Sequence, residues 1–168
     1  TRQRLIAEDP NSVDVIKPFM RGRDVRKWKA AWAGIYLLYI PWHFEIDNYP
    51  AIKKHLLKYK KLLEKRGPTE QGRYEWYSLQ RYAADYFEEF DKPKIVYQEI
   101  ATYQSFGYAE PGTFCNNKCF LIPGKDDYLL ALLNSKALWW LICTLTSSLA
   151  GGARAMQTPY IEQLPIPT

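Results

Sequence analysis

Lys94-Ile95-Val96-Tyr97-Gln98-Glu99-Ile100-Ala101-Thr102 is the stretch on which the fold turns. Entered through Asp91-Lys92-Pro93, it reads as a strand. Thr113 to Ile122 reads as another, with Gly107 and Pro111-Gly112 in the loop between them. Upstream, Gly34 to Pro41 is rich in β-branched and aromatic residues, is closed by proline and suits a buried strand. Helical spacing governs Tyr49 to Arg66, where Ile52, Leu56, Tyr59 and Leu63 recur, Pro50 occupies the first turn and Gly67-Pro68 stops the run. Trp76, Leu79, Ala83, Tyr86 and Phe90 predict a second helix over Trp76 to Phe90. An apolar helix is expected from Asp126 to about Thr146, with acidic residues in its first turn. Thr158-Pro159 opens a last short helix, and Leu164-Pro165-Ile166-Pro167 forces an extended tail. The first thirty residues, broken by Pro10 and Pro18, read as a lead-in and then a loop with a short helical turn. The expected fold is therefore α+β: a mixed single domain of small twisted sheets, with a Lys-rich helix and an apolar helix packed around them.

The chain of 168 residues is 47% hydrophobic and 24% charged, which suits one globular domain with a real core and excludes wholesale disorder. Its longest apolar run, Tyr128 to Leu145, is interrupted by Asn134, Ser135 and Lys136, so a buried helix is expected rather than a membrane span. Three cysteines do not make the disulfide framework of a small secreted domain. A reducing, cytoplasmic setting is expected. With no basic-then-apolar leader after Thr1, no signal peptide is expected, and the chain reads as a piece of a longer polypeptide.

Several chemistries find no residues to carry them. The nine glycines never fall into a Walker or dinucleotide-binding spacing. Were Thr113 to Ile122 one strand, Cys115 and Cys119 would lie on one face with sulfurs about 13 Å apart, at roughly 3.3 Å per residue. On that reading they neither bridge nor share a zinc, and only His43 and His55 could join them. No metal is expected. Asp85, Glu88, Glu89 and Asp91 sit together at a helix end, where a solvated acidic face explains them, and Glu99 is followed by Ile100 and Ala101 rather than by the Glu-x-Lys of a magnesium nuclease. No catalytic residue is expected.

Charge is segregated. Tyr49 to Arg66 holds seven basic residues (Lys53, Lys54, Lys58, Lys60, Lys61, Lys65, Arg66) against Glu64. Lys17 to Lys29 holds six (Lys17, Arg21, Arg23, Arg26, Lys27, Lys29) against Asp24. The two segments carry +6 and +5 while the whole chain carries +5, which leaves −6 elsewhere. Such segregation suits a phosphate backbone, although a solvated Lys-rich helix face is the plainer use of either segment alone. Side chains able to make paired hydrogen bonds to base edges occur on loops: Gln104 in Tyr103-Gln104-Ser105-Phe106, Asn117 and Lys118 in Asn116-Asn117-Lys118, and Arg154 and Gln157 after Gly151-Gly152.

The ordered set of short motifs resembles the TaqI-like C-terminal specificity domain, the target-recognition module of adenine-specific DNA methyltransferases in restriction-modification and phage-defence systems. The matching stretches are Ile16 to Val25 with Trp28, Tyr49-Pro50-Ala51-Ile52, Trp76-Tyr77-Ser78-Leu79-Gln80-Arg81, Lys92 to Ile100, Asn117 to Ile122, Leu132 to Lys136 and Tyr160 to Pro167. Each is short and mostly structural; their order is what is specific.

The resemblance implies a catalytic half N-terminal to this region that binds S-adenosylmethionine and flips an adenine into an Asn-Pro-Pro-Tyr type motif. Here the nearest string, Thr158-Pro159-Tyr160, lacks that asparagine. The chain thus looks like a reader without the writer, needing no cofactor of its own. Residues 1-30 are then a basic lead-in joining the catalytic domain, and 31-168 the DNA target-recognition domain. The expected partners are double-stranded DNA and the methyltransferase domain of the same polypeptide, with or without a fused endonuclease. Arg21, Arg23, Lys27, Lys29, Lys53, Lys54, Lys58 and Lys61 are the expected phosphate contacts. Arg81, Gln104, Asn117, Lys118, Arg154 and Gln157 are the expected base readers. Two other readings stay open: a protein-interaction module presenting Trp76 or Trp139-Trp140, and an RNA-binding domain using the same lysines with the many Tyr and Phe rings.

Overall fold

A computed structural model describes residues 1–66 and 74–167. In chain order the elements are α1 (Arg2–Glu8), β1 (Ile16–Met20), β2 (Trp28–Lys29), β3 (Tyr36–Leu38), α2 (Pro50–Leu57), α3 (Lys60–Leu63), β4 (Lys94–Gln98), β5 (Ile100–Ala101), β6 (Gly107–Ala109), β7 (Phe114–Cys115), β8 (Cys119–Pro123), α4 (Asp127–Leu133), α5 (Lys136–Leu145), β9 (Arg154–Ala155) and α6 (Thr158–Ile161). The mixed α and β composition with small sheets is as expected. The chain divides into two compact units, Thr1–Lys17 with Tyr36–Asp85, and Pro18–Ile35 with Tyr86–Thr168. The first thirty residues contribute to both: Leu5, Val15 and Ile16 are buried in the first unit, Met20 and Val25 in the second.

The first unit is built on α1 and α2, whose Leu5, Ile52 and Leu56 pack with Val15, Ile16, Ile40 and Ile46. Pro50 stands in the first turn of α2, where its missing N–H is no loss. The long Lys-rich helix is divided. Its first stretch ends at Leu57, the Tyr59 N–H turns back to the Leu56 carbonyl, and α3 follows. Like charges at Lys54 and Lys58 and at Lys61 and Lys65, each one turn apart, weaken a continuous helix here. The Gly67-Pro68 stop lies outside the described residues. The helix expected over Trp76 to Phe90 is a series of turns ending in a 3-10 helix, Phe87–Asp91. Its backbone groups are taken from outside: Leu79 N–H donates to Ile40 O, and Trp76 O and Ser78 O both accept from the Arg66 guanidinium. Tertiary bonding of this kind overrides an apolar spacing that carries no N-terminal cap.

The second unit centres on β4. Its four-stranded sheet has the order β2-β6-β4-β8, with β2 parallel to β6 and β4 antiparallel to both neighbours. Alternate residues of β4 serve two cores: Ile95 and Tyr97 pack with Leu130, Leu133, Leu138 and Ile142, while Val96 packs with Met20, Val25, Ala109 and Cys119. A strand buried on both faces therefore shows no polar alternation. Lys94 begins it at 1% exposure, its ammonium donating to Phe90 O at 2.7 Å, and burial pushes its pKa down.

Two expected strands are interrupted. Glu99 divides 94–102 because its N–H donates to Lys118 O and its carbonyl accepts from Met156 N–H, after which β5 pairs with β9. Thr113 to Ile122 is not one strand but two, β7 and β8, separated by the turn at Asn116-Asn117-Lys118. That turn overturns the 13 Å separation of the cysteines, since Cys115 Sγ lies 3.6 Å from Cys119 O. All three cysteines are free thiols, and among the described residues no His, Cys, Asp and Glu cluster could hold a metal ion.

The apolar helix is also two, α4 and α5, bent by 60°. Asn134 causes the break: it is buried, its Nδ2 donates to Phe106 O and Leu130 O, and its Oδ1 accepts from Phe106 N–H. Ser135 then caps α5 by accepting from Leu138 N–H. Among the described residues no single helix is long and apolar enough to cross a membrane. Asn134→Ala would leave the buried Phe106 N–H without its acceptor, while Phe106 O keeps the Trp28 N–H, a loss of about 1–3 kcal/mol for the one group left unsatisfied. The expected readout is a Tm lowered by roughly 2–4 °C per kcal/mol, and an unchanged Tm would show that the bend does not depend on this amide.

Candidate nucleic-acid interface

In the second unit a sharp turn follows β1. Gly22–Asp24 forms one turn of 3-10 helix, closed at both ends by a single ion pair. Arg21 Nε and Nη2 donate to Asp24 Oδ2 and Oδ1, each at 2.9 Å, and the Arg21 backbone N–H donates to Oδ2 at 2.9 Å. Hydrogen bonding by Arg21 holds the buried Asp24 carboxyl below the usual carboxylate range, against the opposing effect of its burial. The turn can approach the β7–β8 hairpin only through a glycine: a Cβ on Gly22 would lie 2.5 Å from the Lys118 carbonyl oxygen.

This close approach assembles an open concavity of about 260 Å³ lined by Gly22, Arg23, Gln98, Glu99, Ile100 and Lys118. Arg23 projects from the turn as an exposed side chain, and Lys118 from the hairpin. Lys118 Nζ lies 2.6 Å from Glu99 Oε2. The approach lacks hydrogen-bond alignment, so that buried oxygen is held by charge alone. Gln98 Nε2 donates to Val25 O at 3.3 Å, tying the end of β4 to the end of the turn. Guanidinium, ammonium, amide and carboxylate thus meet in one opening, the range of donors and acceptors that base edges complement.

The expected site residues divide into exposed groups and braces. Arg21 is engaged with Asp24 and is not a free phosphate contact. Lys27 is exposed, and Lys29 makes an exposed 3.6 Å pair with Glu110 that water screens heavily. Among the expected base readers, Lys118 lines the concavity with Arg23, and its neighbour Asn117 is exposed in the β7–β8 turn. Gln104 is half-buried and donates to Ser135 O at 3.4 Å. Arg154 is a brace: its Nη1 donates to Cys143 O and Thr146 O at the C-terminus of α5, satisfying carbonyls the helix leaves open. Gln157 is exposed at the start of α6. Gln98 and Glu99 are not singled out by the sequence as readers. Their only signal is position, as the first polar pair after the buried run Lys94 to Tyr97.

In the first unit Lys54, Lys58 and Lys61 are exposed on α2 and α3 and in the turn between them. Lys53 pairs with Asp47 at the surface, and Lys60 lies 3.7 Å from Glu64 and 5.5 Å from the Trp76 ring. His55 records the local positive field: burial pushes its pKa down first, and Arg4 and Lys58 push it further. Arg81 is exposed in this unit, not in the one that holds the concavity.

Residues 17–166 match the TaqI-like C-terminal specificity domain. The chain belongs to this family. A solved structure with the same fold is that of the Type IIL restriction-modification enzyme MmeI in complex with DNA, with a TM-score of 0.64 and 14% identity over 94% of this chain. This specificity domain spans about a fifth, 21%, of that chain's length.

The folded Asp24 carboxyl titrates below its unfolded value of about 3.9. The pair therefore stabilises the fold above that pH, and its contribution disappears as pH falls through the folded value. Thermal unfolding of Asp24→Asn should show its largest deficit against the natural protein at neutral pH, narrowing in acid. A deficit that stayed constant into strong acid would contradict the ion pair's role.

Proposed function

We propose that the chain is the sequence-reading domain of a restriction-modification enzyme, holding duplex DNA while a methyltransferase domain of the same polypeptide modifies a flipped adenine. The concavity of Arg23, Lys118, Gln98 and Glu99 carries this reading. It presents opposite hydrogen-bonding characters on a scaffold pinned by Arg21 and Asp24, as discrimination between base pairs requires. Membership of a specificity-domain family and the MmeI–DNA complex support it. In this reading Asn117 and Lys118 approach base edges, and Arg23, expected from the sequence as a phosphate contact, joins them there with Gln98 and Glu99. Lys54, Lys58 and Lys61 neutralise phosphates, with Lys27 and Lys29 adding charge from the second unit. Lys53 exchanges Asp47 for a phosphate, since an exposed pair of this kind holds weakly. S-adenosylmethionine, the cofactor such methylation requires, would be held by the methyltransferase domain. The cytoplasm, where DNA and that cofactor meet, is the proposed location.

The protein-docking reading keeps one observation of its own. Trp140 on α5 is 70% exposed, whereas Trp76 and Trp139 are half-buried. That surface would serve a partner without displacing the concavity from its role.

Binding of labelled duplexes across a salt series tests the proposal. Lys54→Gln, Lys58→Gln and Lys61→Gln together should weaken every duplex alike and flatten the salt slope by up to roughly 0.9 for each phosphate no longer neutralised. Arg23→Ala should instead change which sequence is preferred, by about 1–3 kcal/mol at the affected base pair. Affinity indifferent to salt would sink the reading, and single-stranded RNA outcompeting duplex would replace it with RNA binding.

A further inference from the structure

Trp28 stands in a backbone conformation that tryptophan rarely adopts. Its φ is 76°, and among the described residues only His43 shares a positive φ without being glycine. A bulky side chain in this region is strained, and such strain persists only where the surroundings over-determine it. They do so here. Trp28 N–H donates to Phe106 O at 2.8 Å and Ala30 N–H to Tyr108 O at 2.9 Å, while Ala31 N–H donates to Asp24 O at 2.9 Å. The strand lies directly on Gly107, where a Cβ would meet Arg26 O at 2.4 Å and Lys29 N at 2.9 Å. Gly107 is thus empty of side chain so that Trp28 can sit where it does.

The strain gives the ring no place in a core. Trp28 belongs to none of the three buried clusters and is 50% exposed. Glycine or asparagine would take the same backbone with less strain. What tryptophan adds is a large flat surface, with one cation beside its ring and others close by in the chain. Lys27 Nζ lies 5.1 Å from the ring centroid, and Arg23, Arg26, Lys27 and Lys29 are all exposed. Of the nearby acids, Asp24 is buried and engaged by Arg21, and Glu110 makes only the exposed 3.6 Å pair with Lys29 that water screens. An exposed aromatic face in a basic stretch of chain suits a ligand that pairs flat π surfaces with phosphates.

We propose that Trp28 is a stacking contact to bound DNA, its ring placed against a base face opened at a step of the duplex. The inference rests on the duplex-DNA reading of the chain and adds to it a residue that makes no charge contact. A protein partner seated on the same ring is disfavoured by the neighbouring cations.

The test compares the natural chain with Trp28→Gly and Trp28→Phe, using labelled duplexes of mixed sequence across a salt series, with Tm measured for each. Trp28→Gly is expected to keep or raise Tm while weakening duplex binding about tenfold, within the range of one base–aromatic stack. Its salt slope should be unchanged, because every cation that meets a phosphate remains in place. Trp28→Phe should retain most of the affinity. Natural affinity in Trp28→Gly, or affinity that falls only together with Tm, would overturn the inference and leave the duplex-DNA reading standing. A natural chain that binds no duplex at any salt concentration would overturn both.

Discussion

The Arg21 guanidinium closing on the buried Asp24 carboxylate is the constraint from which the rest of the second unit follows. Three donors converge on that carboxylate, so the turn has one geometry, and within it Gly22 must face the Lys118 carbonyl at a distance no side chain would allow. The Lys118 carbonyl in turn accepts from Glu99 N–H, which divides β4 from β5. One ion pair thus sets where Arg23 points, where the β7–β8 hairpin lies and where the central strand ends. Rigid elements that carry loops in this way are what a specificity site needs, because a reader displaced by an ångström reads nothing.

Arginine and lysine divide the work. Arg21, Arg66 and Arg154 turn inward and spend their planar forks on a carboxylate or on backbone carbonyls. Five fixed donors suit them to this bracing, which a compact ammonium could not reproduce. Most lysines of the basic segments stay outside. The formal charge therefore overstates the free positive surface on the arginine side and states it fairly on the lysine side. Lys94 is the exception, buried and satisfied by three carbonyls at the base of β4.

Much of this is legible from residue patterns. The strand from Lys94, the helix from Pro50 and the short helix at Thr158-Pro159 stand where periodicity and proline place them. The interruptions are not legible, because each depends on a partner distant in sequence. Asn134 breaks the apolar helix only because Phe106 offers it a carbonyl and an N–H. Glu99 ends a strand only because Lys118 and Met156 take its backbone. The same limit applies to the site. Arg23 and Lys118 can be named from the sequence, but their meeting depends on Gly22 fitting the hairpin, and Gln98 and Glu99 gain their place only through that fit. Arg154 has the sequence setting of a reader on a flexible loop and is instead a helix cap.

In the proposed function the chain itself distinguishes one DNA sequence from another. The most direct test of this is selection: a pool of randomised duplexes is passed over the protein at moderate salt, and the retained DNA is sequenced. A defined consensus is expected among the retained duplexes, with fixed bases over a short continuous site. Retention of the pool without enrichment at any position would contradict it.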